Sequence, residues 1–368
     1  MKKSLIALAV LAASGAAMAQ SSVTLFGIVD TGVGYIDNGG NEVAGSTAGQ
    51  NKSTAGQNKY GMTTSGNATS RLGFRGVEDL GGGLKAGFWL EGQIDGDDGN
   101  AAGFNFKRRS TLSLMGGFGE VRLGREQVAG YVKTSSYDVF GQVGMGQFLG
   151  WSSKLYGADG ADGADVGGVR ADNMLSYYTP NFGGFTAGVS YGFGEDTASS
   201  KTNRYVGGYV AFDNGPISVA LAMDKNNGNL PTTPAVNGDR TQVSLGGSYD
   251  FGMLKASALV QQVEFEPTVG TGKVKFDNWA LGLSAPVGPG TVKAQYASYD
   301  LKDSSNEAQQ LSVGYVYDLS KRTAVYGTVS FLKNKGASAV SLAGNGLTLG
   351  GASGENQTGY QVGIRHAF

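Results

Sequence analysis

The chain has 368 residues, of which 63 are glycine, one is histidine and none is cysteine. Charged residues make up 16%, aromatic residues 10%, and the formal net charge is −1. A Cys/His metal centre therefore lacks ligands, and a catalytic triad would have to use His366, close to the C-terminus. Glycine at this frequency is unfavourable in helices, and the apolar runs are shorter than the ~20 residues that a membrane-spanning helix needs. The composition predicts an all-β protein.

The first residues have the pattern of a secretory signal. Lys2 and Lys3 precede a short apolar stretch, and a small-x-small sequence ends at Ala19. The apolar stretch is too short to cross a bilayer. We therefore expect residues 1–19 to be removed on export and residues 20–368 to form a single domain.

Apolar and small polar residues alternate with a period of two along the rest of the chain. In 309–317, for example, Leu311 and Val313 face one way, and Gln310 and Ser312 face the other. This alternation is typical of strands with one apolar and one polar face. About sixteen such segments can be counted.

The connections between these segments alternate between short glycine-rich turns and longer polar links. Long links are expected at 38–68, 127–168, 226–238 and 335–356. This asymmetry is typical of transmembrane barrels of the bacterial outer membrane, which have an even number of strands and short turns at one end.

The apolar strand faces need a cover, and the sequence offers no helices to supply it. Lipid can cover them if the sheet closes, because no strand edge can stay unpaired in hydrocarbon. At about sixteen strands the polar faces would surround a water-filled lumen. We therefore predict an all-β fold, a closed antiparallel transmembrane β-barrel of about 16 strands. A soluble array of β-sandwiches is the alternative.

The last strand carries a further signal. Tyr360, Val362, Ile364, His366 and Phe368 alternate along one face and end at the chain terminus. This pattern resembles the C-terminal signal of outer-membrane barrel proteins, for which the implied reader is the barrel-insertion machinery. His366 is then interpreted as a residue of the membrane interface rather than as a catalyst or ligand.

Several motifs together carry a wider resemblance. They are Ser22-Val23-Thr24-Leu25-Phe26-Gly27-Ile28-Val29-Asp30, Ser70-Arg71-Leu72-Gly73-Phe74-Arg75-Gly76, Gly117-Phe118-Gly119-Glu120-Val121-Arg122-Leu123-Gly124-Arg125, Arg170-Ala171-Asp172-Asn173 followed by Tyr177, and the terminal Phe368. Over essentially the whole mature length, the chain resembles the Gram-negative general-diffusion porins of the neisserial and β-proteobacterial branch. The resemblance implies a water-filled outer-membrane channel for passive diffusion of small hydrophilic solutes and ions.

The resemblance also implies a homotrimer whose barrels each fold their third external loop, here 127–168, into their own lumen. Apolar residues within this link, such as Phe148 and Trp151, agree with an inward position. The acidic Pro-Glu-Phe-Gly element of many family members is missing, and Gly146-Gln147-Phe148 is its nearest counterpart.

Basic residues are the candidates for the pore. Arg71 and Arg75 are four residues apart on one strand and share a face, whereas Leu72 and Phe74 take the lipid side. The resemblance matches Arg108 and Arg170 to further wall arginines. The predicted pore constriction comprises Arg71, Arg75, Arg108 and Arg170 on the wall, with Lys133 and Asp138 on the loop.

Fixed positive charge raises the local concentration of anions and opposes cations, an effect that salt screens. Arginine suits this role because it stays ionised and has forked donors. We therefore predict a preference for anions. In the alternative, the arginines pair with lumen acids such as Asp30 and Glu91, and no net selectivity results.

Two other classes of function are compatible with a barrel of this kind. A substrate-specific channel or an adhesin-like barrel is the main alternative, with Phe26, Trp89 and Tyr326 as candidates for an aromatic track. An outer-membrane enzyme would need an activated nucleophile, and its only histidine lies on the predicted lipid face. We expect no enzymatic activity.

Few partners are expected beyond lipid and solute. The run containing Asp159, Asp162 and Asp165 does not match the spacing of a known calcium loop. We therefore expect no metal, no cofactor and no nucleic acid. The expected partners are outer-membrane lipids, inorganic ions with anions favoured, and other copies of the chain.

Overall fold

The computed structural model describes residues 22–40, 56–101, 103–152, 155, 168–195, 204–230, 236–267 and 272–368. The predicted secretory signal and the run from Asp159 to Asp165 lie outside the described residues.

Within these ranges the chain forms seventeen strands, one short helix and two 3-10 turns. The strands are β1 Ser22–Asn38, β2 Asn58–Thr64, β3 Arg71–Gly81, β4 Leu84–Gln93, β5 Arg109–Gly116, β6 Gly119–Gln127, β7 Arg170–Tyr178, β8 Phe185–Gly192, β9 Tyr205–Asn214, β10 Ile217–Leu230, β11 Val236–Asp250, β12 Lys255–Pro267, β13 Val274–Val287, β14 Gly290–Leu301, β15 Glu307–Asp318, β16 Thr323–Lys335 and β17 Gln357–Ala367. Helix α1 spans Ala129–Thr134, and the 3-10 turns span Ser135–Tyr137 and Leu149–Trp151. In the described part of the chain, no helix has the length and apolar character needed to cross a bilayer.

The sheet closes on itself between the first and last strands. β17 pairs antiparallel with β1 from Ile28, opposite Ala367, to Asn38, opposite Gln357. The other edge of β1 pairs with β3 near its start and with β2 near its end. β2 and β3 thus share one position in the barrel, which brings the seventeen strands to sixteen positions. The predicted closed antiparallel barrel of about 16 strands is confirmed.

Two of the predicted long links are partly strand. The link at 38–68 contains β2, and the link at 226–238 is shortened because β10 continues to Leu230 and β11 begins at Val236. These two predictions of loop were wrong. In β2 only Tyr60 and Met62 carry the apolar side of the alternation, so the pattern is too short to be recognised.

A buried carboxylate holds the break between β2 and β3. The side chain of Asp30 accepts hydrogen bonds from the backbone N–H groups of Gly66 (3.2 Å), Asn67 (2.8 Å) and Ala68 (2.7 Å). It also accepts one from the hydroxyl of Tyr326, at 2.7 Å. Because the carboxylate satisfies several N–H groups that have no strand partner, the chain can turn inward here without leaving them unpaired.

The two faces of the sheet differ as the alternation predicts. On β11, Val243 and Leu245 are exposed, whereas Gln242 and Ser244 are buried. The five residues of the C-terminal signal, Tyr360, Val362, Ile364, His366 and Phe368, all lie on the exposed face. The apolar face of the sheet thus points outward.

Two inter-strand segments pack against the polar face. In 128–152, Phe148 and Leu149 are fully buried, and the Leu149 N–H donates to the hydroxyl of Tyr299 on β14 at 2.9 Å. In 336–356, Leu342 and Leu347 are also buried. The link predicted at 335–356 does connect β16 to β17, but its few apolar residues, although scattered in sequence, pack on the same interior surface.

Candidate functional site

Many charged side chains surround one cavity of about 1140 Å³ in the described part of the chain. Its lining comes from β3, β4 and β6, from the end of β2 and the start of β7, from the segments 95–109 and 131–152, and from 343–348. The basic residues lining it are Arg71, Lys107, Arg108, Arg109, Arg122 and Arg170. The acidic residues are Glu91, Asp95, Asp97, Asp98 and Glu126.

Strand register explains how the wall side chains reach this cavity. Residues directly opposite each other in an antiparallel pair share a face. Arg71 lies opposite Gln93, and Arg75 lies opposite Trp89. Glu91, which shares their face, lies opposite Arg109. The register therefore places these side chains on the polar face.

Glu91 pairs with two of the arginines. Arg108 Nε lies 2.6 Å from Glu91 Oε1, whereas Arg71 Nε lies 3.9 Å from the same oxygen. The indole N–H of Trp89 donates to Glu91 Oε2 at 3.1 Å. The charge of Arg108 is thus closely compensated, and that of Arg71 only weakly.

A second carboxylate, Glu126, pairs with the next arginines along the wall. Arg122 Nη1 lies 2.5 Å from Glu126 Oε2, and Arg109 Nε lies 3.8 Å from it. Arg122 also pairs with Glu120 at 2.8 Å and lies over the ring of Tyr178. Arg109 and Arg122 are not among the constriction residues predicted from the sequence. Arg122 stands in one of the motifs that carry the resemblance, which is the signal that could have identified it.

The cavity wall has an excess of positive charge. Six basic side chains line it against five acidic ones, and two of these acids, Glu91 and Glu126, pair with its arginines. Arg170 lies within this group, and its Nε donates to the carbonyl oxygen of Arg108 at 3.0 Å. The aspartates in the lining come from the connection 94–108 between β4 and β5, where Gln93 Nε2 donates to Asp95 Oδ1 at 2.6 Å.

Among the predicted constriction residues, Arg71, Arg108 and Arg170 line the cavity together. Arg75 shares their face but lies outside the lining, and its guanidinium lies over the rings of Phe26 and Trp89. The two predicted residues on the loop, Lys133 and Asp138, do not line the cavity.

Lys133 and Asp138 instead attach the loop to its surroundings. Lys133 Nζ lies 2.6 Å from Asp213 Oδ2, at the end of β9. Asp138 is buried and accepts hydrogen bonds from the backbone N–H groups of Phe140 (3.0 Å), Gln142 (2.8 Å) and Phe148 (3.1 Å). Burial raises the pKa of the Asp138 carboxyl, and these N–H donors act in the opposite direction.

Asp30 and Glu91 are the two acids that could neutralise the arginines, and they lie in different places. Glu91 pairs with arginine as that alternative supposes, but Asp30 binds the backbone at the β2–β3 break. Of the three aromatic candidates, Phe26 and Trp89 are neighbours with ring centroids 5.1 Å apart. Tyr326 is buried and donates to Asp30, so the three rings do not form one track.

The segment 343–348 contributes to the cavity in a way that the sequence analysis missed. The carbonyl oxygen of Asn345 accepts from the Thr64 N–H at 3.0 Å, which ties the segment to β2. Leu347 packs against Ile36 and Met145. The buried leucines Leu342 and Leu347, standing in an otherwise polar link, are the signal that could have indicated this position.

Comparisons with known proteins agree with the barrel. The family model described as Gram-negative porin matches residues 5–337. Outer membrane porin protein 32 of Delftia acidovorans is 56% identical over 376 residues, covering 100% of both chains. An outer membrane porin protein of Bordetella pertussis is 33% identical, covering 91% of this chain and 95% of its own.

Solved structures of porins have a similar fold. The anion-selective porin from Comamonas acidovorans has a TM-score of 0.83 at 52% identity, covering 95% of this chain and 100% of its own. OmpT of Vibrio cholerae in a trimer form has a TM-score of 0.67 at 13% identity, covering 95% of this chain and 99% of its own, and shows the fold alone. With its sixteen-position barrel and its arginine-rich cavity, the chain belongs to the Gram-negative porin family and is a porin of the cell outer membrane.

Proposed function

We propose that this porin passes small hydrophilic solutes and ions by passive diffusion, that it prefers anions, and that it is not an enzyme. One observation carries the preference for anions. Arginines outnumber their glutamate partners in the cavity wall, and Arg71 lies 3.9 Å from the nearest glutamate oxygen that it pairs with. The described part of the chain also has no group of three or more His, Cys, Asp or Glu side chains that could hold a metal ion.

The excess of positive charge in the cavity wall affects which ions enter the channel. Fixed positive charge along a narrow aqueous path raises the local concentration of anions, and guanidinium groups stay ionised throughout the working pH range. The ion pairs with Glu91 and Glu126 hold the arginines in place without cancelling all of their charge. A solved relative at 52% identity is described as anion-selective, which supports the same sign.

We propose that the predicted loop 127–168, of which 127–152, 155 and 168 are described, narrows the channel. Its contacts with wall side chains support this role. The Val139 N–H donates to Gln295 at 3.2 Å, and Tyr137 shares a hydrogen bond with Ser218 at 3.0 Å. Both wall residues lie on the face opposite to the exposed apolar residues. The segment 343–348 would narrow the same space from the other side.

We also propose how the chain is inserted and assembled. Apolar residues exposed along the outward face would contact outer-membrane lipids, and the C-terminal residues from Tyr360 to Phe368 would be read by the barrel-insertion machinery. The chain would assemble as a homotrimer. Cross-linking of the detergent-solubilised protein tests this assembly, and a uniformly monomeric product would contradict it.

Reversal potentials across a planar bilayer in a KCl gradient test the anion preference. The expected sign is that of chloride flux, and Arg71→Gln and Arg109→Gln should each move the potential toward zero. Arg125→Gln is the matched control, because Arg125 pairs with Asp172 at 2.6 Å away from the cavity lining. A potential of the opposite sign, or variants indistinguishable from the control, would contradict the proposal.

A further inference from the structure

Three side chains on neighbouring strands form a compact group beside the arginine cavity. The guanidinium carbon of Arg75 lies 5.2 Å from the ring centroid of Phe26 and 5.1 Å from that of Trp89. The two rings meet edge to face, with an interplanar angle of 68°. We refer to Phe26, Arg75 and Trp89 as the aromatic ledge.

The wall is shaped to hold these rings. Phe26 lies opposite Gly73 across the β1–β3 pair. A Cβ atom at Gly73 would lie 2.8 Å from Phe26 Cε1, so the ring occupies space that only glycine leaves open. The ring of Phe26 is thereby placed next to Arg75, two residues further along β3.

The charge of Arg75 is available to a solute. Its side chain is exposed. In the part of the chain that the structure describes, no carboxylate oxygen lies within 4.0 Å of it, whereas Arg71, Arg108, Arg109 and Arg122 each have at least one. Arg109 also lies 4.5 Å from the ring centroid of Trp89. The indole therefore connects the ledge to the arginines of the cavity.

An unpaired guanidinium beside two rings has a specific chemical complement. A carboxylate can accept two parallel N–H donors from the guanidinium. A planar ring carrying that carboxylate can also pack against the edges of Phe26 and Trp89, or on the guanidinium itself. A carboxylate with a saturated body can make only the first of these interactions.

We propose that the aromatic ledge is a transit site for planar aromatic carboxylates, in series with the arginine cavity. This inference rests on the proposed anion-conducting function and names a class of anion that the channel retains. Arg75 lies four residues from Arg71 along β3, roughly 13 Å at the usual rise per residue. A solute that leaves the cavity along β3 therefore meets Arg75 next, at a ledge that shares Trp89 with the cavity lining.

Block of chloride current through the reconstituted full-length channel tests the ledge. The probes are benzoate and cyclohexanecarboxylate, which have the same charge and nearly the same size but differ in planarity. Benzoate should half-block the current at a concentration about two- to tenfold lower, the range expected for one aromatic contact. Arg75→Gln and Phe26→Leu should each bring this ratio close to one.

The matched control is Lys85→Gln, which removes one positive charge from the same face of β4 as Trp89 without touching the ledge. Its benzoate ratio should stay at the wild-type value. Single-channel conductance checks that each variant forms an intact pore.

Four results would contradict the proposal that the ledge is a transit site for aromatic carboxylates. They are equal block by the two probes in the wild type, an unchanged ratio in Phe26→Leu, an unchanged ratio in Arg75→Gln, and an equal loss of the ratio in Lys85→Gln. An anion-selective channel with no benzoate preference contradicts the ledge alone. A cation-selective channel contradicts the proposed function as well.

Discussion

Gly27 on β1 lies directly beneath the aromatic ring of Phe368, the residue that follows β17. Their backbones exchange two hydrogen bonds, from Gly27 N to Phe368 O at 3.1 Å and from Phe368 N to Gly27 O at 3.0 Å. A Cβ at Gly27 would overlap that ring and would lie 2.8 Å from the carbonyl oxygen of Arg71. The first and last strands therefore close the barrel at a point where residue 27 has space for a hydrogen atom but not for a methyl group.

Gly27→Ala should weaken this closure. Forcing a methyl group into a filled contact typically costs about 1–3 kcal/mol, so the folded barrel should convert to its unfolded, slower-migrating form on gels at a lower temperature. Gly117→Ala is the control, because a Cβ there meets nothing within 4 Å. Identical transition temperatures for the two variants would contradict the close contact.

Asp30→Asn should destabilise the break between β2 and β3. The carboxylate accepts hydrogen bonds from three backbone N–H groups and one hydroxyl. The asparagine amide has only one accepting oxygen, and its NH2 group can only donate. We expect a loss of about 2 kcal/mol, the usual cost of leaving a buried donor unsatisfied, measured as a lower unfolding temperature in detergent.

Asp250→Asn provides the comparison for Asp30→Asn. Asp250 is exposed and accepts one backbone bond, from Gly252 at 2.8 Å, so its substitution should leave the unfolding temperature almost unchanged. If the two variants unfold at the same temperature, the carboxylate of Asp30 does not hold the break.

Glu91→Gln should increase the preference for anions. The substitution removes the negative charge beside Arg108 and Arg71 and keeps the shape of the side chain. One unit charge about 8 Å from the ion path contributes about 0.5 kcal/mol in a water-like dielectric, or about twofold in the chloride-to-potassium permeability ratio. Reversal potentials measure this ratio.

Glu264→Gln is the control for Glu91→Gln. Glu264 pairs with Lys273 at 2.8 Å near the end of β12, outside the cavity lining. Its substitution should leave the permeability ratio unchanged. A lower ratio in Glu91→Gln would mean that Glu91 matters by positioning the arginines and not by compensating them.

Leu347→Ser should widen the channel. Leu347 is 1% exposed and packs against Ile36 and Met145, which keeps 343–348 against the cavity. Removing a buried leucine side chain costs about 2–5 kcal/mol, enough to release a short segment. Single-channel conductance should rise.

Leu319→Ser separates this effect from a general loss of apolar surface. Leu319 is 56% exposed in the short turn after β15, so its loss should not change conductance. Equal conductance in the wild type and Leu347→Ser, with both barrels folded, would show that the segment does not narrow the path.

Much of the fold could be predicted from the sequence because strand alternation depends on neighbours in the chain. The side-chain period of two is fixed by backbone geometry, so it identified the outward face from Tyr360 to Phe368 and the shared face of Arg71 and Arg75. The alternation could not reveal β2, where Tyr60 and Met62 are too few to show a period.

The pairing of charges required the tertiary structure. Lys133 and Asp213 are 80 residues apart, and the ion pairs of Glu91 and Glu126 depend on which residues the strand register sets opposite each other. A sequence shows which charges a chain has, but not which of them compensate one another.

The sequence by itself thus determined the barrel, its outward apolar face and the inward face of the arginines, because these follow from local periodicity and from the need to cover apolar strands with lipid. Only the tertiary structure decided how the arginines are paired and how 336–356 packs inside. Both depend on distances between segments that are far apart in the chain, and closure of the barrel sets those distances.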